Sequence, residues 1–218
     1  MDKITINNLT KEIKGEKILD NINLNLEEGK IYGFIGYNGS GKSMLFKAIC
    51  GLIKPTTGYV KIKNMILGKD ISFPKSVGVL IEEPGFIPKY TAFQNLKILA
   101  DIQGSINDAD IKRSLEKVGL DPNNNKPVKK YSLGMKQKLG IAQAIMEDPE
   151  ILILDEPMNA LDFDSVKNIR TLLLNMKSKG KTILITSHNK DDIESLSDTI
   201  YSLDRGKVLL YDKINFTS

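Results

Sequence analysis

The amino-acid sequence predicts an α/β fold with a mainly parallel sheet, an N-terminal antiparallel β layer and an inserted helical subdomain. Three observations carry this. Four strand-length stretches, "KIYGFIG", "VGVLIE", "ILILDE" and "TILITSH", are almost continuously apolar, as strands covered on both faces of a parallel sheet are. Helical patterns lie between them, so strand, loop and helix alternate along the chain. Near the N-terminus, "ITINNL" and "INLNLEEG" instead alternate apolar with polar residues, the mark of half-buried strands.

Taken in order, "YVKIK" follows a turn at Thr56, Thr57 and Gly58 and completes the antiparallel layer. "KIYGFIG" supplies the first core strand, and "KSMLFKAICG" reads as a helix closing on Gly51. After "VGVLIE", residues 86–148 read as helices with no convincing strand. Thr91 and Gln94 are spaced as a capping box ahead of "LKILADIQG", then come "DADIKRSLEKVGL", a polar loop "DPNNNKPVKK" and "LGMKQKLGIAQAIM". "ILILDE" returns to the sheet, and in "SVKNIRTLLLNMKSKG" Val166, Ile169, Leu172, Leu173 and Met176 share one helix face. "TILITSH" is the last buried strand and "IYSLDRGKVLL" a hairpin. The expected organisation is one domain over residues 1–218, with a catalytic core at 1–85 and 149–218 and a helical subdomain at 86–148.

The 218 residues are 41% hydrophobic and 27% charged, a globular balance, and the net charge of +4 is spread out, so no nucleic-acid partner is expected. A single cysteine, Cys50, forms no internal disulfide, and "MDKITINNLT" lacks the apolar stretch of a signal peptide; both point to the cytoplasm. No run approaches the roughly 20 apolar residues of a membrane span. A membrane role without direct insertion requires a partner.

Gly36-x-x-x-x-Gly41-Lys42-Ser43 satisfies the P-loop pattern, between an apolar strand and an amphipathic helix. The cradle comprises Gly36, Tyr37, Asn38, Gly39, Ser40, Gly41, Lys42, Ser43 and Met44. Main-chain N–H groups and the helix N-terminus can surround a triphosphate, Lys42 can reach its terminal phosphates, and Ser43 can bind Mg²⁺. The ordinary alternative is a glycine-rich turn capped by serine. Asp155, at the end of "ILIL", supplies a second Mg²⁺ partner and Glu156 a general base, although adjacent acids at a strand end are commonly just solvated. His188, the only histidine, ends a core strand on the same sheet edge and is a candidate γ-phosphate contact or a plain surface residue. Ser132 can cap the helix that follows, with Gly134 leaving its first turn open to an anion. A plain capped helix is the simpler local reading; a second anion site would serve another chain's nucleotide.

With these residues in this order, the chain resembles the ATP-binding subunit of an ABC transporter over essentially its whole length: Walker A at Gly36 to Ser43, the signature at Ser132 to Met135, Walker B at Ile151 to Asp155 with Glu156, a D-loop at Asn159 to Asp162 and the switch His188. The resemblance implies a P-loop NTPase core, ATP and Mg²⁺ as cofactors, and a second ATP-binding subunit, most simply in a homodimer, with each ATP between one chain's P-loop and the other's signature helix. It also implies a transmembrane permease subunit and a place on the inner face of the cell membrane. "EEPGFIPKYTAFQNL" lies near the docking groove so implied, with Phe86, Tyr90 and Phe93 as apolar contacts or as local core. Three departures from the family pattern stand out. Ile13 stands where an adenine-stacking aromatic is expected, Glu82 where a metal-binding glutamine is expected, and Leu133 and Met135 in place of the usual glycine and glutamine. Glu82, with "IEEPGF" and "SLGMKQKLGIA", most resembles the cassettes of bacitracin and lantibiotic export and self-protection. The alternatives are a soluble ABC-type ATPase of translation or DNA repair, which usually has two cassettes or a long coiled-coil insertion, and a nucleotide-binding regulator with little hydrolysis, against which Glu156 argues.

Overall fold

In the computed structural model, which describes residues 2–211, the alternating N-terminal segments form a long hairpin of β1 (Asp2–Ile13) and β2 (Glu16–Glu27). Lys14 and Gly15, both at positive φ (52° and 84°), make its turn. Ile4, Ile6 and Leu9 of one strand and Leu19, Ile22, Leu24 and Leu26 of the other are buried, so the hairpin has one apolar face. β4 (Thr57–Ile62) pairs with β1 and β5 (Met65–Ile66) with β4, giving an antiparallel sheet of order β2-β1-β4-β5.

The second sheet has the order β10-β9-β3-β8-β7-β6, from β3 (Ile31–Ile35), β6 (Val77–Leu80), β7 (Ile151–Leu154), β8 (Thr182–Thr186), β9 (Thr199–Asp204) and β10 (Lys207–Leu210). It is parallel except for the β9–β10 hairpin. β7 and β8 are buried at every residue, as their unbroken apolar runs require. β6 departs from that expectation. It is an edge strand, with Gly78 and Leu80 buried and Val77 and Val79 only half-buried.

Along β7 successive side chains enter different cores. Ile151 and Ile153 join Phe34, Leu45, Phe46 and the antiparallel layer; Leu152 and Leu154 join the helical side. Each fully buried residue of this kind contributes about 1.5–3 kcal/mol. α1 (Lys42–Ile49) belongs to the first core. α2 (Ala92–Gln103), α3 (Asp108–Lys117) and α4 (Leu133–Ile145), carried between β6 and β7, belong to the second, with α5 (Phe163–Ser178) and α6 (Lys190–Leu196). Thr91 and Gln94 make the reciprocal capping box of α2. α4 lies so close to β6 that a Cβ on Gly78 would sit 1.8 Å from the Ala144 carbonyl oxygen.

An ion cluster ties the N-terminal strand to the start of β7. Lys3 Nζ, 2% exposed, donates to Glu28 at 2.8 Å and Glu150 at 2.5 Å, while Lys63 meets Glu150 at 2.9 Å. Burial pulls the Lys3 pKa down, but its two carboxylate hydrogen bonds outweigh this and leave it raised. The hydrogen bonds from Lys3 and Lys63 hold Glu150 down at about 2, from an ordinary value of 4.5. Because the folded value lies below the unfolded one, the stability Glu150 contributes is present above about pH 4.5 and lost as pH falls toward 2. Lys3→Met is expected to cost roughly 1–3 kcal/mol at neutral pH and to flatten this acid loss, read from urea unfolding across that range.

Candidate active site

β3 ends at Ile35 and the chain turns through Gly36 to Gly41 into α1. Gly36 and Gly41 have φ of 152° and 108°, and a Cβ on either would lie 2.3 Å from the Leu203 oxygen or 2.9 Å from the Ile18 oxygen. Side chains are excluded here, leaving the backbone to line the loop. Lys42, 7% exposed, folds back and donates to the carbonyls of Gly36 (2.7 Å) and Tyr37 (3.1 Å). Gly41 offers α1 no side-chain cap, so the first-turn N–H groups keep the positive helix end open to an anion.

The other half of the site comes from the adjacent ends of β7 and β8. The Asp155 N–H donates to the Leu80 carbonyl at 2.7 Å, which fixes the residue at the sheet edge. Its carboxylate accepts from Ser43 Oγ at 2.5 Å and from Thr186 Oγ1 at 2.6 Å. The structure therefore brings Ser43 and Asp155 together, 112 residues apart in sequence. Glu156 follows in a left-handed conformation (φ 52°), its N–H donating to Thr186 Oγ1 at 2.8 Å. The His188 N–H donates to Glu156 Oε2 at 3.0 Å, and His188 Nε2 lies 3.3 Å from Oε1, a buried oxygen with no hydrogen-bond partner. Burial pushes the Glu156 carboxyl above the usual carboxylate range, against the opposing pull of His188 and Lys42.

These groups face one cleft of about 340 Å³, lined also by Asn38, Gly39, Met44 and Ile18. A raised carboxyl with an unpaired oxygen, beside a buried lysine and an open helix end, suits attack of a polarised water on a phosphoryl group. Ser43 and Asp155 offer two adjacent hard oxygens. Among the described residues no group of three or more His, Cys, Asp or Glu gathers to hold a metal. The donor set fits Mg²⁺, which takes one or two protein oxygens and completes its shell with phosphate and water.

Other candidates lie elsewhere. Ser40 is buried with an unpartnered hydroxyl, while Tyr37 is 84% exposed. Ile13 does not line the cleft. It pairs with Glu16 across the β1–β2 turn and is 43% exposed there, and Ile18 forms the apolar wall instead. Glu82 does not line the cleft either: at φ 61° it pairs with Lys47 on α1, 2.5 Å away and one turn beyond Ser43. Ser132 Oγ caps α4, accepting from the Met135 N–H at 3.2 Å, and Gly134 abuts the Ala160 carbonyl; neither lines the cleft. Phe86 and Phe93 pack against the helical core, and Phe86 also lines a second cleft with Pro84, Lys129, Leu133 and Lys136. Two contributors had no local motif to betray them: Thr186, which bridges Asp155 and Glu156, and Gln137, whose amide donates to the Glu156 carbonyl at 2.9 Å. A threonine closing an apolar strand was the one available signal.

A family profile described as ABC transporter matches residues 19–159. The chain is 51% identical to the "uncharacterized ABC transporter ATP-binding protein YybJ" of Bacillus subtilis over 97% of both chains. It is 40% identical to the bacitracin transport ATP-binding protein BcrA of Enterococcus faecalis, over 98% of this chain and 70% of that one. Against the lantibiotic transport ATP-binding protein SrtF of Streptococcus pyogenes the figures are 38%, 95% and 89%. Among solved structures, the dimeric post-hydrolysis state of the ATP-binding cassette MJ0796 bound to ADP and Pi superposes with a TM-score of 0.85, at 26% identity and covering 94% of this chain and 96% of that one.

Proposed function

The chain belongs to the ABC transporter family as an ATP-binding, ATP-hydrolysing subunit, and from that premise we propose that it drives export of amphipathic antimicrobial peptides from the inner face of the membrane. The observation that carries the hydrolytic reading is the 2.5 Å contact between Ser43 Oγ and the Asp155 carboxylate at the foot of the P-loop. Lys42 exchanges its two loop carbonyls for the β- and γ-phosphate oxygens, and the open end of α1 takes the remaining negative charge. Ser43 and Asp155 hold Mg²⁺, which when bound neutralises developing phosphate charge. Glu156 accepts a proton from the attacking water, and His188 orients the Glu156 carboxylate and contacts the γ-phosphate.

Cassettes of this family work as dimers, as MJ0796 does in its ADP-bound form, together with transmembrane components. Ser132 and Gly134, off this chain's own cleft, fit a role toward a second copy's nucleotide. The cleft of Phe86, Lys129 and Lys136 fits a permease segment. Among the described residues no helix is long and apolar enough to cross a membrane. Peptide export is supported by the relatives named for bacitracin and lantibiotic transport. The alternative of a soluble factor in translation or DNA repair has no comparable support.

Affinity capture of the chain from detergent-solubilised membranes of its host is expected to recover a multi-span subunit. Cells lacking the chain are expected to become more sensitive to bacitracin-like or lantibiotic peptides, measured as growth inhibition. Recovery of ribosomes or DNA with no membrane protein would reverse the assignment.

A further inference from the structure

Outside the cleft lining, α5 and α6 share an ion pair whose carboxylate is buried and whose guanidinium is one-third exposed. Arg170 projects from α5 and its Nη2 donates to Asp192 Oδ1 on the first turn of α6; Asp192 is 5% exposed. The other oxygen, Oδ2, faces the buried hydroxyl of Ser187 at 3.4 Å, and that hydroxyl accepts the Asn189 N–H at 3.1 Å. Between these two residues sits His188, whose N–H is given to Glu156. α5 is a rigid anchor, since Ile169, Leu173 and Met176 are buried in the helical core. The short α6 and the turn before it are tied to that anchor through Asp192.

An ion pair with a buried carboxylate is generally no more stabilising than apolar residues of the same volume, because that carboxylate loses its hydration and the partly covered guanidinium some of its own. This one is also incomplete: Arg170 Nε is buried without a hydrogen-bond partner. Stability alone is a weak reason for placing it here, whereas its connection to the His188 turn supplies a stronger one. We propose that Arg170 and Asp192 are positioning residues for ATP hydrolysis, holding the Ser187–Asn189 turn so that His188 stays against Glu156. Neither residue lines the nucleotide cleft, so neither acts on phosphate directly. The proposal rests on the roles given above to Glu156 and His188.

His188 is the only histidine, so in tag-free protein one imidazole NMR resonance reports its surroundings. The main test is Arg170→Met with Asp192→Leu, a double variant that leaves no unpaired buried charge. It is expected to melt no lower than the wild type and to bind ATP with KM changed by less than about twofold. Its kcat is expected to fall about tenfold to a hundredfold, with the imidazole resonance moving toward that of a free histidine. Asp192→Asn, which keeps the side-chain shape, is expected to show the same changes in smaller measure should the double variant fold poorly. Wild-type kcat with an unmoved resonance, in either variant, overturns the proposal, as does loss of ATP affinity in step with kcat. Glu156→Gln measured alongside separates the two ideas: normal turnover there removes the role of Glu156, while the resonance still decides whether the pair positions His188.

Discussion

Glu156→Gln is expected to lower ATP turnover by roughly 10²–10⁴-fold, the usual contribution of a positioned general base, while ATP binding persists and the ATP-bound dimer accumulates. The amide keeps the shape and can still accept the His188 N–H, now made at 3.0 Å to Oε2, so the cleft survives and only proton acceptance is lost. Phosphate release under single-turnover conditions and size-exclusion chromatography with ATP read the two effects; undiminished hydrolysis by the purified variant rejects the role. The pH dependence follows from burial. Glu156 must be ionised to act and burial raises its pKa in the nucleotide-free protein, so kcat/KM, which reports the free enzyme, is expected to fall with decreasing pH at values above the ordinary carboxylate range. Linkage gives the opposite sign for stability. The folded state holds the proton more tightly, so the penalty for the ionised form is absent below the unfolded pKa and fully present above the folded one. In nucleotide-free protein at neutral pH, the glutamine variant is therefore expected to melt higher than the wild type.

Lys42→Ala is expected to weaken nucleotide binding itself by about 10- to 100-fold, from loss of a charge-assisted contact worth roughly 1.5–3 kcal/mol. In the structure Lys42 is already turned inward, satisfied by the Gly36 and Tyr37 carbonyls at 2.7 and 3.1 Å. That inward fold holds the lysine inside the loop before phosphate arrives, which is the sense in which it is pre-organised. Titration with a fluorescent ATP analogue measures the loss, and an unchanged dissociation constant would remove Lys42 from the phosphate site. The two variants thus divide the cleft. Lys42 is expected to govern occupancy, and Glu156 what happens to bound nucleotide.

Much of the cleft was legible because its parts are contiguous. The loop from Gly36 to Ser43 needs glycines where side chains would strike Ile18 and Leu203 backbone, and that need is written locally as a motif. Asp155, Glu156 and His188 were readable because parallel strands must end at one sheet edge, so the residues after "ILIL" and "TILIT" share a neighbourhood. Ile13 and Glu82 show where such reading stops. Each occupies a family position, yet neither lines the nucleotide-free cleft: Ile13 is 43% exposed at the hairpin turn and Glu82 pairs with Lys47. β6 reads as a strand covered on both faces from its apolar run, whereas its half-exposure follows from an edge position, a property of strand order that no single strand encodes.

The sequence by itself determined the phosphate cradle, the acidic pair, the alternation of strand and helix and the antiparallel layer, all of which depend on neighbours a few positions apart. Only the tertiary structure decided that Ser43 meets Asp155, that Thr186 joins Asp155 to Glu156, that Ile18 walls the cleft, and that Arg170 on one helix grips Asp192 on another. Periodicity and local steric demand are short-range and leave a trace in the order of residues. Pairing between distant side chains depends on strand order, register and helix docking, and these are settled together by packing the whole chain.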